Sequence, residues 1–187
     1  MRRFDSQIIV RSFACLALVS LVLPAVASAA VVDEVEITGL HLCCGGCVAE
    51  LEEALEEVKG LTELTINREK RTARFQVPDE ATRTAALEAI PAAGFYGTAM
   101  HGEEPVPMIA EPQIKETHTD RLVLTGVHLC CAGCTKAVVK ALEEVESVVA
   151  VDCDLKSRTV TLTGKDLDVA EIYEYLHRAG LHGTMEE

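Results

Sequence analysis

The sequence predicts an α+β chain, two tandem βαββαβ domains behind an N-terminal leader, and three observations predict it. Residues 35–47 return 87 positions later as residues 122–134. Within each copy the apolar period switches between two and about 3.6 in the same order. The opening 29 residues follow neither pattern.

The leader comes first in the chain. Arg2, Arg3 and Arg11 precede an apolar run over 13–23, then Pro24 and the small-residue string Ala27-Ser28-Ala29. A basic start, a short apolar stretch and an A-x-A site are the parts of a secretory signal peptide over 1–29. Read on to Val32, the run reaches about 20 residues, the length of an uncleaved anchor. Pro24 and the A-x-A site favour removal, and Cys15 inside the run is given no role. The expected location is therefore periplasmic or secreted, or membrane-anchored if the leader stays. Cleavage after Ala29 removes three Arg and one Asp, leaving 14 basic against 29 acidic residues and seven cysteines. Thiols in an exported protein meet oxidants, so each must be disulfide-bonded, metal-bound, buried or reactive.

The first domain is expected over 33–101 and the second over 120–187. Val35 and Ile37 alternate as a strand. From Cys47 the apolar residues Val48, Leu51, Leu55 and Val58 fall at helical spacing, with glutamates on the other face. Leu64 and Ile66 alternate again, a turn follows over 67–71, and Ala73, Phe75 and Val77 mark a third strand. A second helix is Ala-rich, with Pro91 set to end or kink it, and a short last strand begins near Phe95. In the second copy Leu122 with Leu124, Val138 with Leu142 and Val145, Val151 with Cys153, Val160 with Leu162, and Val169, Ile172 and Leu176 repeat the order, and its last strand begins near Leu181. This is the ferredoxin-like arrangement, an antiparallel sheet covered on one face by two helices. Residues 102–119, with Pro105, Pro107 and Pro112 and no periodicity, read as a semi-stiff linker. Each domain is small enough that ligand binding would contribute to its stability.

Composition excludes several functions. The 187 residues carry 17 Lys+Arg against 30 Asp+Glu, a net charge of −13, with no Trp. Such a chain has no basic surface to displace counterions from phosphates, so nucleic acid is not an expected partner. No Ser/His/Asp set, phosphate loop or motif-placed acid pair appears, so no catalytic or cofactor-binding residue is named and no enzyme is expected.

The chemistry concentrates in His-Leu-Cys-Cys-x-Gly-Cys, present in both copies between the first strand and the first helix. Cys44 and Cys47, like Cys131 and Cys134, form a C-x-x-C whose small intervening residues let two sulfurs converge on one ion. Cys47 and Cys134 lie in a helix's first turn, where unpaired N–H groups favour a thiolate. Thiolates select soft ions: Cu(I), Zn(II) or Hg(II). Cys43 and Cys130 would add a third sulfur if they turn inward. His41 and His128 would supply a fourth ligand, although a histidine at a strand end is commonly solvated or hydrogen-bonded.

On these residues both copies resemble heavy-metal-associated domains, the βαββαβ modules of copper chaperones, of metal-pumping ATPase N-terminal regions and of periplasmic mercuric-ion binding. The family motif Gly-Met-Thr-Cys-x-x-Cys carries its paired ligands onto Cys44 and Cys47, and onto Cys131 and Cys134. Its Met corresponds to Leu42 and Leu129, its Thr to Cys43 and Cys130, while the Gly stands two residues further off at Gly39 and Gly126. The family's Ala-Gly-Tyr appears as Ala93-Gly94-Phe95 and Ala179-Gly180-Leu181, which would bring Tyr96 and His182 close to the metal loop. The resemblance implies a metal chaperone or sequestration protein, a monomer holding about one ion per domain. Its partner would be a metal-transporting membrane protein or another acceptor with a basic surface for the Glu-rich helix faces.

Other readings remain open on the residues alone. The clusters suit a local disulfide, an envelope thiol–disulfide oxidoreductase, or a metal-free interaction module. Cys153 is expected as a buried core thiol, and His101, His118 and His177 as surface residues.

Overall fold

The computed structural model describes residues 33–108 and 118–186; the expected signal peptide over 1–29, Cys15 and residues 109–117 lie outside that range. The first domain runs β1 (Asp33–Thr38), α1 (Gly45–Glu56), β2 (Thr62–Asn67), β3 (Thr72–Val77), α2 (Glu80–Ala92), β4 (Thr98–His101) and β5 (Glu104–Val106). The second runs β6 (His118–Thr125), α3 (Ala132–Leu142), β7 (Val148–Asp154), β8 (Thr159–Asp168), α4 (Val169–Arg178) and β9 (Thr184–Met185). The sheets are antiparallel, ordered β2-β3-β1-β4-β5 and β7-β8-β6-β9. Both domains are thus the expected ferredoxin-like α+β units. No helix among the described residues is long and apolar enough to cross a membrane.

Sequence chemistry accounts for the elements. Val35, Ile37, Ala73, Phe75 and Val77 point to one side of the first sheet and are buried, while Leu51 and Leu55 of α1 and Ile90 of α2 close over them. Asp79 starts α2 by accepting the Thr82 N–H at 2.8 Å, and Asp168 does the same for Ala170 on α4 at 2.9 Å, each satisfying an otherwise orphaned donor. Pro91 sits in the last turn of α2, which stops one residue later.

Three sequence expectations need correction. The stretch 102–119 is not all linker: residues 104–106 form β5 on the edge of the first sheet, and His118 and Thr119 already belong to β6. Pro105 is tolerated there because an edge strand leaves one side unpaired. Cys153 is half-buried rather than fully enclosed. Phe95 and Leu181 do not open the fourth strands; they pair with each other, one from each domain, as an antiparallel bridge.

That bridge is the centre of an approximate two-fold contact between the domains. The His41 and Tyr96 N–H groups both donate to the Gly180 carbonyl at 3.1 Å, and the His182 N–H donates to the Gly94 carbonyl at 2.9 Å. Gly94 and Gly180 hold φ of +84° and +85°, a region that costs little only for glycine. Neither has room for a side chain. A Cβ on Gly94 would lie 2.3 Å from the His128 nitrogen, and one on Gly180 would lie 2.4 Å from the Gly39 oxygen. Arg158 pairs in bidentate fashion with Glu50 across the contact, and Arg71 donates to the Ala179 carbonyl at 3.3 Å. The buried residues of both domains form one continuous apolar cluster.

Candidate metal centre

The two-fold contact sets the β1–α1 and β6–α3 loops head to head. Gly39 and Gly126 turn the chain at φ of +81° and +71° as it leaves its strand. Leu40 and Leu42, like Val127 and Leu129, are buried beneath the loops and anchor them to the core. Cys44 and Cys131 are the N-cap residues of α1 and α3, with extended backbone. One turn on, Cys47 and Cys134 are fully buried, whereas Cys43 and Cys130 are exposed.

All six sulfurs meet. Within the loops Cys44–Cys47 measures 3.7 Å and Cys43–Cys47 3.6 Å, against 4.0 Å for Cys131–Cys134 and 3.6 Å for Cys130–Cys134. Between the domains Cys44–Cys130 measures 3.5 Å, Cys47–Cys130 3.7 Å, Cys43–Cys131 3.7 Å, Cys43–Cys134 3.7 Å and Cys47–Cys134 3.9 Å. The seven described cysteines are free thiols. A metal–sulfur bond of about 2.3 Å spaces two sulfurs about 4.6 Å apart in a linear site, about 4.0 Å in a trigonal one and about 3.8 Å in a tetrahedral one. The observed separations therefore suit three or four ligands better than two.

His41 and His128 join the cluster. Ligand atoms of His41, Cys43, Cys47 and Cys134 lie within 4.8 Å of one another, as do those of Cys47, His128, Cys130 and Cys134. Both rings are buried, and Nε2 of each has no hydrogen-bond partner among the described residues. Buried nitrogens are ordinarily satisfied, and one ring nitrogen of each histidine lies among the sulfurs that could share a cation. Burial, the leading influence, holds the His41 pKa below its ordinary value, so its ring is neutral and keeps a lone pair. Phe95 of the first domain stacks on His128 of the second, ring centroids 4.3 Å apart.

The thiols are electrostatically unequal. Cys134 is pulled down to about 6, first by the hydrogen bond from the Cys47 thiol, and against its own burial. Backbone N–H groups of the helix starts, those of Cys47 and Cys134 foremost, lower Cys44 and Cys131. Cys43 and Cys130 are pushed up, first by lost hydration and then by the hydrogen bonds they donate to the other sulfurs. Some members of the cluster are thus ready ligands while others give up a proton on metal uptake. A groove of about 400 Å³ lies beside Cys43, lined by His41, Arg71, Lys140, Tyr175 and Arg178 among others.

The eight candidate ligands, Cys43, Cys44, Cys47, Cys130, Cys131, Cys134, His41 and His128, lie together in this cluster. Cys153 does not, and its thiol is pushed up to about 11, chiefly by burial. Tyr96 and His182 line the domain contact: Tyr96 stacks face to face on His177 at 3.5 Å, and His177 Nε2 lies 3.0 Å from His182 Nδ1. His177 is therefore packed rather than a surface residue. Sequence reasoning missed the docking residues Gly94, Gly180, Glu50, Arg71 and Arg158. A signal existed, since Gly94/Gly180 and Arg71/Arg158 recur at equivalent places in the two copies.

Residues 127–182 match the family model described as heavy-metal-associated domain. Among solved structures, oxidized MerP from Ralstonia metallidurans CH34 is 23% identical, over 36% of this chain and 96% of that one, with a TM-score of 0.34. The N-terminal soluble domains of Bacillus subtilis CopA are 20% identical over 83% of this chain and 94% of that one, with a TM-score of 0.31. The apo heavy-metal-associated domain of the copper chaperone for superoxide dismutase is 23% identical over 46% and 86%, with a TM-score of 0.34. Residues 127–182 thus match a heavy-metal-associated domain, and the first domain repeats that segment's element order and cysteine loop.

Proposed function

We propose that this protein is an exported binder of soft metal ions that sequesters them or hands them to an acceptor, holding about one ion per domain. The observation that carries the reading is the convergence of six free thiols at 3.5–4.0 Å on the loops between first strand and first helix. Thiolates in that number and at that spacing suit Cu(I), Zn(II) or Hg(II) and are poor ligands for hard ions. Transfer would run by ligand exchange, an incoming thiolate attacking the bound ion while one cysteine at a time lets go. The leader-like sequence over 1–29 supports export, and the exposed glutamates of α1 support an acceptor with a basic surface, such as a metal-transporting membrane protein.

Titration of the reduced chain with Cu(I), and separately with Zn(II), tests the reading. Two ions per chain are expected, and Cys44→Ser combined with Cys131→Ser should abolish or sharply weaken uptake. A stoichiometry untouched by the double variant would count against it. The oxidoreductase reading has one observation in its favour, the Cys134 thiol at about 6. That thiol is buried, however, and a disulfide substrate needs access to the attacking sulfur. Insulin reduction by the metal-free protein should stay at background.

A further inference from the structure

The extra cysteine of each loop has no counterpart among the paired ligands of the family motif, yet it recurs in both copies. Its position in the structure is specific. Taken as side lengths, the sulfur separations close a triangle over Cys44, Cys47 and Cys130, with sides of 3.7, 3.5 and 3.7 Å. They close a second over Cys131, Cys134 and Cys43, with sides of 4.0, 3.7 and 3.7 Å. This division uses each sulfur once and keeps both C-x-x-C pairs intact. In each triangle the third corner comes from the opposite domain.

We propose that the protein holds two soft ions in two domain-crossed three-sulfur sites, Cys130 completing the site of the first domain and Cys43 completing that of the second. This deepens the soft-ion reading above and rests on it. A trigonal ion with metal–sulfur bonds of about 2.3 Å sets its sulfurs about 4.0 Å apart, so each triangle would have to open by at most about half an ångström to hold Cu(I) in three-coordinate geometry. The loops support the crossing. Gly46 and Gly133 stand where the foreign sulfur arrives: a Cβ on Gly46 would lie 3.5 Å from the Cys130 sulfur, and one on Gly133 3.1 Å from the Cys43 sulfur. A Cβ at Gly133 would crowd the Cys43 sulfur, whereas one at Gly46 would only touch the Cys130 sulfur. Cys43 and Cys130 are the exposed members of the cluster, so each is also the sulfur that a partner thiol would displace first. Ion uptake would then pin the two domains together, and removal of the ions would release them.

The test uses the full chain, reduced, with Cu(I) alone as probe. Replacing Cys44 and Cys47 together by Ser leaves one ion on Cys131 and Cys134. In that background Cys43→Ser should lower the sulfurs around copper from three to two by X-ray absorption. It should also weaken retention against a coloured Cu(I) chelator by at least the roughly 10–100-fold that loss of a mere supporting group costs. Cys130→Ser should leave both readings unchanged, although it sits on the same loop as the remaining pair. The mirror background, Cys131→Ser with Cys134→Ser, should invert the pattern, so the proposal does not depend on one variant folding. Loss of the third sulfur with Cys130→Ser in the first background, equal effects of the two, or no effect of either would each overturn the crossing while leaving soft-ion binding intact. A wild-type chain that takes up no Cu(I) would remove the underlying reading and the crossing with it.

Discussion

Cys134 shows how much of this centre is a property of single residues in company. Its sequence position at the start of a helix predicts a depressed thiol, and the structure depresses it to about 6, but the leading cause is a hydrogen bond from Cys47 of the other domain. The six cysteines, their spacing and the soft-ion chemistry were legible because they are written locally. The cause of the shift was not, because it crosses 87 residues of sequence. Metal-free protein should therefore show an ultraviolet thiolate wave near pH 6. Cys134→Ser should remove the wave, and Cys47→Ala, on the other loop, should move it upward. The sign for stability follows. A thiol held below its ordinary pKa binds fewer protons when folded than unfolded, so between about pH 6 and 9 this group makes stability rise with pH, and its contribution is gone below about 6. A wave that ignores Cys47→Ala would return the cause to the helix terminus alone.

At the scale of elements, alternation and helical spacing placed strands and helices in both copies, since each element buries one face in its own domain's core. The three-residue β5 escaped because it carries Pro105 and is too short for a period to register. The tight turns after α2 and α4 escaped for another reason: the Ala-Gly pairs were visible, but not that each glycine receives the other domain's backbone. Gly180→Ala should therefore cost more than its conformation alone. A left-handed φ costs a residue with a Cβ about 1–2 kcal/mol, and here the added carbon would also sit 2.4 Å from the Gly39 oxygen and 2.5 Å from the His41 nitrogen. Gly39→Ala is the matched control, with φ of +81° and nothing within 4 Å of the added atom. Both variants should unfold at lower denaturant concentration than wild type. Only Gly180→Ala should also enlarge the radius measured by small-angle scattering, because only it wedges the domains apart. Equal radii would mean that the loop yields without undocking.

For the whole molecule, the question is what sets the balance between docked and separated domains when no metal bridges them. The contact carries a group of rings that titrate: His177 and His182 are each held near 4 by burial, His177 also by the proximity of His182. Tyr96 of the first domain lies flat on His177. Tyr173, whose hydroxyl donates to the Gly183 carbonyl at 2.8 Å, packs beside both histidines. A histidine held below its ordinary pKa of 6.5 binds fewer protons in the packed state than in the open one. Packing is thus fully favoured above about pH 6.5 and progressively lost as pH falls toward about 4. The metal-free chain should accordingly show a falling unfolding midpoint and a rising scattering radius over that interval, beginning above the range in which exposed carboxylates titrate. His177→Gln with His182→Gln should flatten both curves while leaving the cysteine cluster in place. Copper-loaded protein should resist the opening, because bonds to three sulfurs drawn from two domains hold it shut until the thiolates themselves are protonated. An acid-induced opening equally large with and without copper would show that the ions do not join the domains. One that survives the histidine substitutions would place the pH dependence elsewhere in the contact.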